Sequence, residues 1–228
     1  MDKIISVVIP AYNEEQSIGK VVSDIDRDFV KHVIVVNNNS TDNTEKVASD
    51  AGAIVLDEKN KGYGWACLKG IAKTKELNTD IVVFLDGDYS DYPQEIPDVV
   101  GPILNDGIDM VIGSRVLGKR EKGSLTPQQV FGNWLATRLI RIFYGASFTD
   151  LGPFRAIKSE VLEDLGMADK TYGWTIEMQI KAVKKKYKFK EVAVNYKKRI
   201  GVSKVSGTVK GTVLAGIKII FAVFKYRF

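Results

Sequence analysis

Residues 80–88 read Asp-Ile-Val-Val-Phe-Leu-Asp-Gly-Asp, and the fold class follows from this stretch. Five apolar residues, rich in β-branched and aromatic types, are followed at once by two carboxylates that bracket a glycine. A continuous apolar run that ends in turn residues is typical of a strand buried on both faces of a parallel sheet. Side chains at the carboxyl end of such a strand open into the crevice where α/β proteins bind ligands. Asp86 and Asp88 are therefore candidate ligands for Mg²⁺ or Mn²⁺, which prefer a few carboxylates together with substrate phosphates, although Asp and Gly also form ordinary turns.

Further short apolar segments alternate with amphipathic ones along the chain. Strands are predicted at 4–9, 32–36, 53–56, 81–85, 110–113 and 191–196. Helices are predicted at 13–29, 62–75, 129–144 and 176–186, together with one that ends at 50, and the polar residues 118–128 are predicted to form a mobile loop. Strands that alternate with helices of this length indicate βαβ units around a parallel sheet.

Composition limits the kinds of site that the chain can build. With 228 residues, 45% of them apolar, it can form one large domain or one domain with an appendage. The lone Cys67 excludes an intramolecular disulfide and fits a reducing compartment, and the lone His32 argues against a histidine-based metal site or a Ser-His-Asp triad. Residues 1–180 hold 19 Lys/Arg and 27 Asp/Glu, whereas residues 181–228 hold 14 Lys/Arg and one acid. This asymmetry indicates an acidic partner at the carboxyl end: anionic lipid, nucleic acid or a phosphorylated substrate.

The carboxyl-terminal segment is both apolar and basic. Residues 212–224 form its most apolar part, 13 residues that include Lys218. As a helix they would reach roughly 20 Å, short of the roughly 30 Å hydrocarbon core of a bilayer. Apolar residues interspersed with lysines fit a helix that lies in the interface of an anionic membrane. The alternative is a helix packed on the globular domain.

Four separated segments, in this order, resemble the inverting family 2 glycosyltransferases with the GT-A fold. They are Val-Ile-Pro-Ala-Tyr-Asn-Glu-Glu at 8–15, Asn-Asn-Asn-Ser-Thr-Asp-Asn-Thr at 37–44, Leu-Asp-Gly-Asp at 85–88 and Gly-Ser-Arg at 113–115. Within that family, segments 150–157, 172–178 and 199–204 are most similar to the polyprenyl-phosphate (dolichyl-phosphate) sugar synthases. The resemblance implies an α/β fold of the GT-A type: a Rossmann-like, mostly parallel sheet flanked by helices, with a basic amphipathic C-terminal helix. It divides the chain into a glycosyltransferase domain at 1–204, whose halves 1–115 and 116–204 bind nucleotide sugar and acceptor, and a basic apolar tail at 205–228.

The resemblance also implies a donor site at the strand ends. Its expected residues are Pro10, Ala11, Tyr12, Glu14, Asn38, Lys61, Gly62, Asp86, Gly87, Arg199 and Lys204. The family usually has Asp-Asp where this chain has Asn37-Asn38. An amide both accepts and donates, which suits the N3–H and neighbouring carbonyl of uracil, whereas the two adjacent N–H groups of guanine favour a carboxylate. A UDP-sugar is therefore favoured over GDP-mannose.

The resemblance also implies which residues serve catalysis and which bind the acceptor. The resemblance implies that Asp86 and Asp88 hold Mg²⁺ or Mn²⁺ on the diphosphate, with Ser90 or Asp91 as a possible third ligand. Arg115 is expected to hold an acceptor phosphate, because guanidinium groups bind phosphate oxygens bidentately. The further expected acceptor ligands are Asn133, Arg138 and Trp174, and Glu177 stands roughly where many family members carry the catalytic base. A phosphate acceptor needs no base, so Glu177 is expected to orient groups or to contact sugar hydroxyls. Two alternatives stay open: Glu177 as a plain surface residue of an amphipathic helix, and Trp174 as a residue buried in the core.

Together these features predict a metal-dependent enzyme that moves a hexose from a nucleotide-diphosphate sugar to polyprenyl phosphate with inversion. It is expected in the cytoplasm, in peripheral contact with the anionic inner face of the cell membrane, and with no nucleic-acid partner. Two alternatives stay open: a family 2 glycosyltransferase with a soluble or glycan acceptor, and a non-catalytic sugar-nucleotide-binding or membrane-scaffold protein.

Overall fold

The computed structural model describes residues 3–201 and 221–226. Within them, seven strands form one sheet in the order β3-β2-β1-β4-β6-β5-β7. The strands are β1 (Ile5–Ala11), β2 (His32–Asn37), β3 (Ile54–Asp57), β4 (Ile81–Phe84), β5 (Met110–Ser114), β6 (Arg155–Lys158) and β7 (Phe189–Ala193). The helices are α1 (Ile18–Ser23), α2 (Thr44–Asp50), α3 (Tyr63–Glu76), α4 (Ile96–Asn105), α5 (Pro127–Tyr144), α6 (Ser159–Leu165) and α7 (Trp174–Lys184).

The sheet is mostly parallel, as the sequence predicts. β1 pairs in parallel with β2 and β4, β2 with β3, and β5 with β7. β6 is the exception, because it runs antiparallel to both of its neighbours, β4 and β5. The predicted GT-A architecture is confirmed. A strand from the second half of the chain therefore lies between two strands of the first half.

Helices cover both faces of the sheet and explain the apolar runs in its central strands. Successive side chains of a strand point to opposite faces. Val8 and Phe84 accordingly belong to one apolar cluster, whereas Val7 and Val83 belong to the other. Helices α3, α5, α6 and α7 pack in the first cluster, and α1, α2 and α4 pack in the second.

Some element boundaries differ from the predicted ones. The helix predicted at 13–29 is confined to α1, and the residues before it form a turn in which the carbonyl of Glu14 accepts from the amides of Ser17 and Ile18. Asn13, with φ of 54°, lies in the left-handed region, and its Oδ1 accepts from the amide of Thr41. Helices α4 and α6 and strand β6 had no predicted counterpart. Strand β7 begins two residues earlier than predicted and ends at Ala193.

The described part of the C-terminal segment packs on the domain. Residues 221–225 are helical, and two of their side chains, Ala222 and Val223, are buried. The Tyr144 hydroxyl donates to the carbonyl of Val223 at 2.5 Å, and the rings of Phe143 and Phe224 meet at 5.1 Å. The rest of the predicted interfacial helix, and Lys204, lie outside the described residues. Within residues 3–201 and 221–226, no helix combines the length and apolar character needed to cross a membrane.

Gly70 tests how tightly α3 packs against β1. An alanine Cβ at this position would lie 2.3 Å from Cγ1 of Val8. Gly70→Ala should therefore lower the free energy of unfolding by about 1–3 kcal/mol. Gly101 in α4 is the matched control, since nothing lies within 4 Å of its added Cβ, and Gly101→Ala should raise that free energy by about 0.5–1 kcal/mol. Urea unfolding of both variants measures the difference, and equal effects would contradict this packing.

Candidate active site

A cavity of about 350 Å³ lies at the carboxyl ends of β1 and β4. It is lined by Pro10, Ala11, Tyr12, Glu14, Asn38, Lys61, Gly62, Tyr63, Ala66, Asp86, Gly87, Asp88, Thr171, Tyr172 and Arg199. Its size falls in the range of small-molecule pockets. Every expected donor-site residue that the structure describes thus lies at this one cavity. The side chain of Lys61 lies 5.6 Å from the ring centre of Tyr12, which gives the cavity an aromatic face beside a positive charge.

The two carboxylates at the end of β4 are held by hydroxyl and amide donors. The Tyr63 hydroxyl donates to Asp86 at 3.2 Å, and the amide and hydroxyl of Ser90 donate to Asp88 at 2.9 and 2.5 Å. Burial and the charge of Asp88 raise the pKa of Asp86 to about 7. The pair is therefore a site of concentrated negative charge in a partly dehydrated setting.

Such a pair fits a divalent cation that also binds the substrate. Asp91 is buried next to it, and burial together with Asp86 and Asp88 raises the pKa of its carboxyl. No three His, Cys, Asp or Glu side chains of the described residues converge in a way that could hold a metal ion. Two carboxylates completed by diphosphate oxygens and water match the preference of Mg²⁺ and Mn²⁺. Ser90 is bonded to Asp88, so its geometry suits support of that ligand.

Arg199 brings positive charge onto the carboxylate pair. Its guanidinium donates to Glu14 at 3.0 Å and lies 3.2 Å from Oδ2 of Asp88. The backbone around it is fixed, because the amides of Lys197 and Ile200 donate to the carbonyls of Ser90 and Asp88, both at 2.9 Å. The basic segment 197–200 is thus anchored directly on the loop that carries Asp86 and Asp88.

Asn38 lines the cavity, but its side-chain amide is hydrogen-bonded to the backbone of the protein. Its Nδ2 donates to the carbonyls of Glu58 and Asn60 at 3.2 and 2.7 Å, and its Oδ1 accepts from the amide of Gly62 at 2.8 Å. Both hydrogens and the oxygen are therefore engaged in holding the loop after β3. These contacts give the amide partners within the protein, and its pairing with the edge of uracil stays a prediction.

Arg115 is bound by a carboxylate of its own chain. Its Nε and Nη2 donate to the two oxygens of Asp150 at 2.8 and 2.7 Å, and its guanidinium lies 5.0 Å from the ring centre of Tyr196. Burial lowers the pKa of Arg115, but Asp150 outweighs it and raises that pKa overall. The bidentate geometry expected for an acceptor phosphate is thus taken by Asp150.

Asp150 belongs to segment 149–152, whose backbone is held by side chains. Its amides donate to Glu191 and to Asn133. Its carbonyls accept from Asn133, Arg155 and Gln179. Asn133 therefore supports this segment through both ends of its amide, rather than presenting it to an acceptor.

The remaining expected acceptor residues do not converge on the cavity. Trp174 is 1% exposed and meets Phe84 edge-on at 5.9 Å, so the core alternative is correct. Glu177 is 0% exposed. It therefore neither contacts a sugar in the cavity, as one expectation held, nor lies on the surface, as the alternative held. Arg138 is exposed on α5, 6.0 Å from the ring centre of Trp134.

Sequence reasoning missed four residues of the cavity: Tyr63, Ala66, Thr171 and Tyr172. Two signals could have found the aromatic ones. Tyr63 lies between Gly62 and Gly64, directly after the expected donor residues Lys61 and Gly62, and Tyr172 opens segment 172–178, which resembles the family. Thr171 and Ala66 carry no such signal.

Asp86 and Asp88 thus follow one strand of a mostly parallel sheet and line the same cavity as the expected donor residues. The model of the family described as Glycosyl transferase family 2 matches residues 6–166, and the chain belongs to this family of enzymes. The dolichyl-phosphate hexose transferase of Haloferax volcanii is 33% identical over 206 residues, which cover 88% of this chain and 86% of that protein. The UDP-N-acetylglucosamine–dolichyl-phosphate N-acetylglucosaminyltransferase of Methanococcus voltae is 30% identical over 214 residues, 85% of each chain.

A solved structure shares the fold over nearly the whole chain. Glucosyl-3-phosphoglycerate synthase from Mycobacterium tuberculosis, in complex with Mn²⁺, UDP-glucose and phosphoglyceric acid, has a TM-score of 0.79 and 26% identity. The match covers 99% of this chain and 80% of that one. The same enzyme was also crystallised with Mg²⁺ and UDP.

Asn38→Asp tests whether Asn38 supports the loop or reads the base. A carboxylate there would face the carbonyls of Glu58 and Asn60 with no hydrogen to donate. The free energy of unfolding should fall by about 1–3 kcal/mol. The affinities for UDP and GDP should fall together, with their ratio unchanged, whereas base reading predicts a shift towards GDP. Titration with both nucleotides and urea unfolding measure this, with the exposed Asn78→Asp as control.

Asp86→Asn should stabilise the metal-free protein at alkaline pH while removing metal binding. The folded pKa of Asp86 is about 7, whereas an unfolded carboxyl ionises near 4, so the folded state binds more protons between these values. Stability is therefore lost as pH rises from about 4 to about 7. An asparagine avoids this loss, so the melting temperature at pH 8 in EDTA should rise by at least about 2–4 °C, and the gain should shrink at pH 4. Calorimetry at both pH values, with the exposed Asp50→Asn as control, checks the sign.

Proposed function

We propose that this enzyme transfers a hexose from a nucleotide-diphosphate sugar, with a UDP-sugar favoured, to polyprenyl phosphate with inversion at the anomeric carbon. The single observation that carries the proposal is the placement of Asp86, Asp88 and Arg199 at one cavity with Tyr12 and Lys61. The same cavity offers ligands for a metal, a diphosphate and a base. The two dolichyl-phosphate transferases among the relatives support the acceptor class.

The donor side of the proposal depends on charge. A bound Mg²⁺ or Mn²⁺ would neutralise the negative charge that develops on the departing nucleoside diphosphate. Asp86 and Asp88 are the residues that would hold it. Arg199 would then turn from Glu14 and Asp88 towards the diphosphate, which its guanidinium can meet with two parallel hydrogen bonds. Preference for a UDP-sugar is supported by the UDP complexes of the structural neighbour and by the name of the Methanococcus relative.

The carboxylates of the cavity favour an acceptor that is already ionised. Among the described residues that line it, the carboxylates are Glu14, Asp86 and Asp88. Glu14 and Asp88 form ion pairs with Arg199, and Asp86 is one of the two proposed metal ligands. An alcohol acceptor would need a general base, whereas a phosphate monoester needs only positioning and matching charge. Phosphate attack on the anomeric carbon would break its bond to the nucleoside diphosphate and invert the configuration.

Basic and apolar groups meet in a second cavity of about 410 Å³, next along the chain from Arg115. It is lined by Val116, Gly118, Arg120, Glu121, Lys122, Gly123, Ser124, Leu125 and Val130. Arg120 and Lys122 can attract a phosphate, and the valines can contact a prenyl chain. We assign the acceptor to this side of the molecule, in place of the engaged Asn133 and the buried Trp174.

The outer face of α5 suits peripheral contact with an anionic membrane. Phe131 and Trp134, whose rings lie 5.8 Å apart, are 60% and 52% exposed, and Ile142 is 70% exposed. Arg138 and Arg141 on the same helix are exposed as well. Aromatic and basic side chains on one helix are typical of the membrane interface. We place this face at the inner, cytoplasmic side of the cell membrane, a location that also suits the free Cys67.

A soluble phosphorylated acceptor is the second candidate. It is favoured by the structural neighbour, which was crystallised with phosphoglyceric acid. The tail residues 221–226, which pack on the domain, also fit an enzyme without membrane contact. Both candidates share the donor chemistry and differ only in what carries the phosphate.

The decisive experiment offers the purified enzyme Mg²⁺ or Mn²⁺, labelled UDP- and GDP-sugars, and either a short polyprenyl phosphate or phosphoglyceric acid. Label should move to the polyprenyl phosphate, and Asp88→Asn should lower the rate at least about 100-fold, since a catalytic metal is worth several kcal/mol. Transfer to phosphoglyceric acid alone would establish the second candidate. Metal-dependent donor binding without transfer to either acceptor would overturn both.

The same assay in anionic vesicles tests the face on α5. A Phe131→Ser/Trp134→Ser variant should lose most of its vesicle binding and its transfer to a long-chain acceptor, but retain transfer to a short one in solution. Leu104→Ser is the matched control, because Leu104 is 43% exposed on α4, on the other side of the sheet. Equal losses in the two variants would contradict the assignment of this face.

A further inference from the structure

We propose that Glu177 is a positioning residue for the donor cavity: it fixes segment 168–173, which supplies Thr171 and Tyr172 to the cavity wall. The inference rests on the proposed function only in taking this cavity as the donor site. It assigns Glu177 no contact with the sugar or with the reacting atoms.

The carboxylate of Glu177 is fully engaged inside the protein. Its two oxygens accept from the backbone amides of Ala168 and Asp169 at 3.0 and 2.7 Å. The Lys181 ammonium lies 2.7 Å from Oε1. With 0% exposure, the carboxylate is shielded from water and from the cavity. A buried charge with two amide donors and one cation is a strong local constraint on the backbone that supplies the amides.

The constrained backbone continues directly into the cavity wall. Asp169 accepts through Oδ1 from the amides of Thr171 and Gly173 at 2.7 and 3.1 Å, which closes the segment into a compact turn. Thr171 and Tyr172, both in this turn, line the donor cavity. Glu177 thus fixes the start of a turn whose residues Thr171 and Tyr172 line the donor cavity.

The same segment packs against residues 62–65, at the start of α3, which include the cavity residues Gly62 and Tyr63. The carbonyl of Lys170 accepts from the amide of Trp65 at 3.2 Å, and its ammonium lies 4.2 Å from the Trp65 ring centre. An added Cβ would lie 2.3 Å from the Lys170 carbonyl oxygen at Gly62 and 2.0 Å from that of Asp169 at Gly64. Two walls of the cavity therefore touch through backbone atoms, so a shift of segment 168–173 also disturbs Gly62.

A positioning role predicts a loss of donor affinity with little change in chemistry. Glu177→Gln keeps one acceptor oxygen but loses the charge, and Glu177→Ala loses both oxygens. The Kd for UDP with Mn²⁺ and the KM for the donor should rise about tenfold in the first variant and further in the second, as expected for the loss of charge-assisted hydrogen bonds. The kcat should change less than about threefold, and the pH profile of kcat should keep its shape.

The experiment measures UDP binding by calorimetry, together with kcat, KM and the pH profile, for wild type, both Glu177 variants and the exposed control Glu160→Gln. A large fall in kcat with loss of one limb of the pH profile would overturn the inference in favour of direct chemistry. A lower melting temperature with unchanged Kd and KM would overturn it in favour of a purely structural role.

A second pair of variants tests the route of the effect. Because Glu177 acts through the turn, its loss should matter less in a Tyr172→Ala background, so the two effects should not add. Full additivity would overturn the route. Asp169→Asn, which loosens the same turn from within, should raise the Kd for UDP as well and replaces Glu177→Gln if that variant does not fold. If the wild type binds UDP but transfers no sugar, only the proposed acceptor is overturned. The role of Glu177 is still tested in that case, because it depends on the ratio of the UDP affinities of the wild type and the Glu177 variants.

Discussion

Two neighbouring carboxylates at the end of a strand buried on both faces set the main constraint on this molecule. Their mutual repulsion and loss of water are costly, and the surroundings offset that cost only in part: Ser90 bonds to Asp88, Tyr63 bonds to Asp86, and Arg199 supplies a positive charge. The pKa of Asp86 stays raised, because burial and the charge of Asp88 outweigh these contacts. A site with this excess of negative charge favours a cation, and the cation in turn favours a diphosphate.

Around the carboxylate pair, polar side chains form many of the hydrogen bonds to backbone groups that neighbouring strands form inside the sheet. Loops pair only some of their own amides and carbonyls, and buried polar side chains satisfy others. Asn38 does so for the loop after β3, Glu177 for the turn before α7, and Glu191 for the segment that carries Asp150. The shape of the cavity wall therefore depends on residues that do not themselves need to touch a ligand.

This division explains what the sequence could and could not predict. Asp86 and Asp88 were predictable because they follow an apolar run at the end of a buried strand, whereas the other donor residues were expected from the resemblance to the family. Strand β6 was missed because its four residues, Arg-Ala-Ile-Lys, have charged ends and no alternating pattern, and its Arg155 is buried only through tertiary contacts. Asn133 and Asn38 have the chemistry of ligands, and only the fold shows that their amides are engaged elsewhere.

The antiparallel strand β6 has a consequence for the order in which the molecule can assemble. It lies between β4 and β5, so the half of the chain that carries most donor residues cannot complete its sheet by itself. During synthesis, β4 keeps an open edge until residues 155–158 have left the ribosome, and β5 waits for these residues and for β7. An open edge of this kind invites pairing with other chains. The proposed donor cavity is lined mostly by residues of the first ninety, but Thr171, Tyr172 and Arg199 also line it, so its wall is complete only after these later residues have been synthesised.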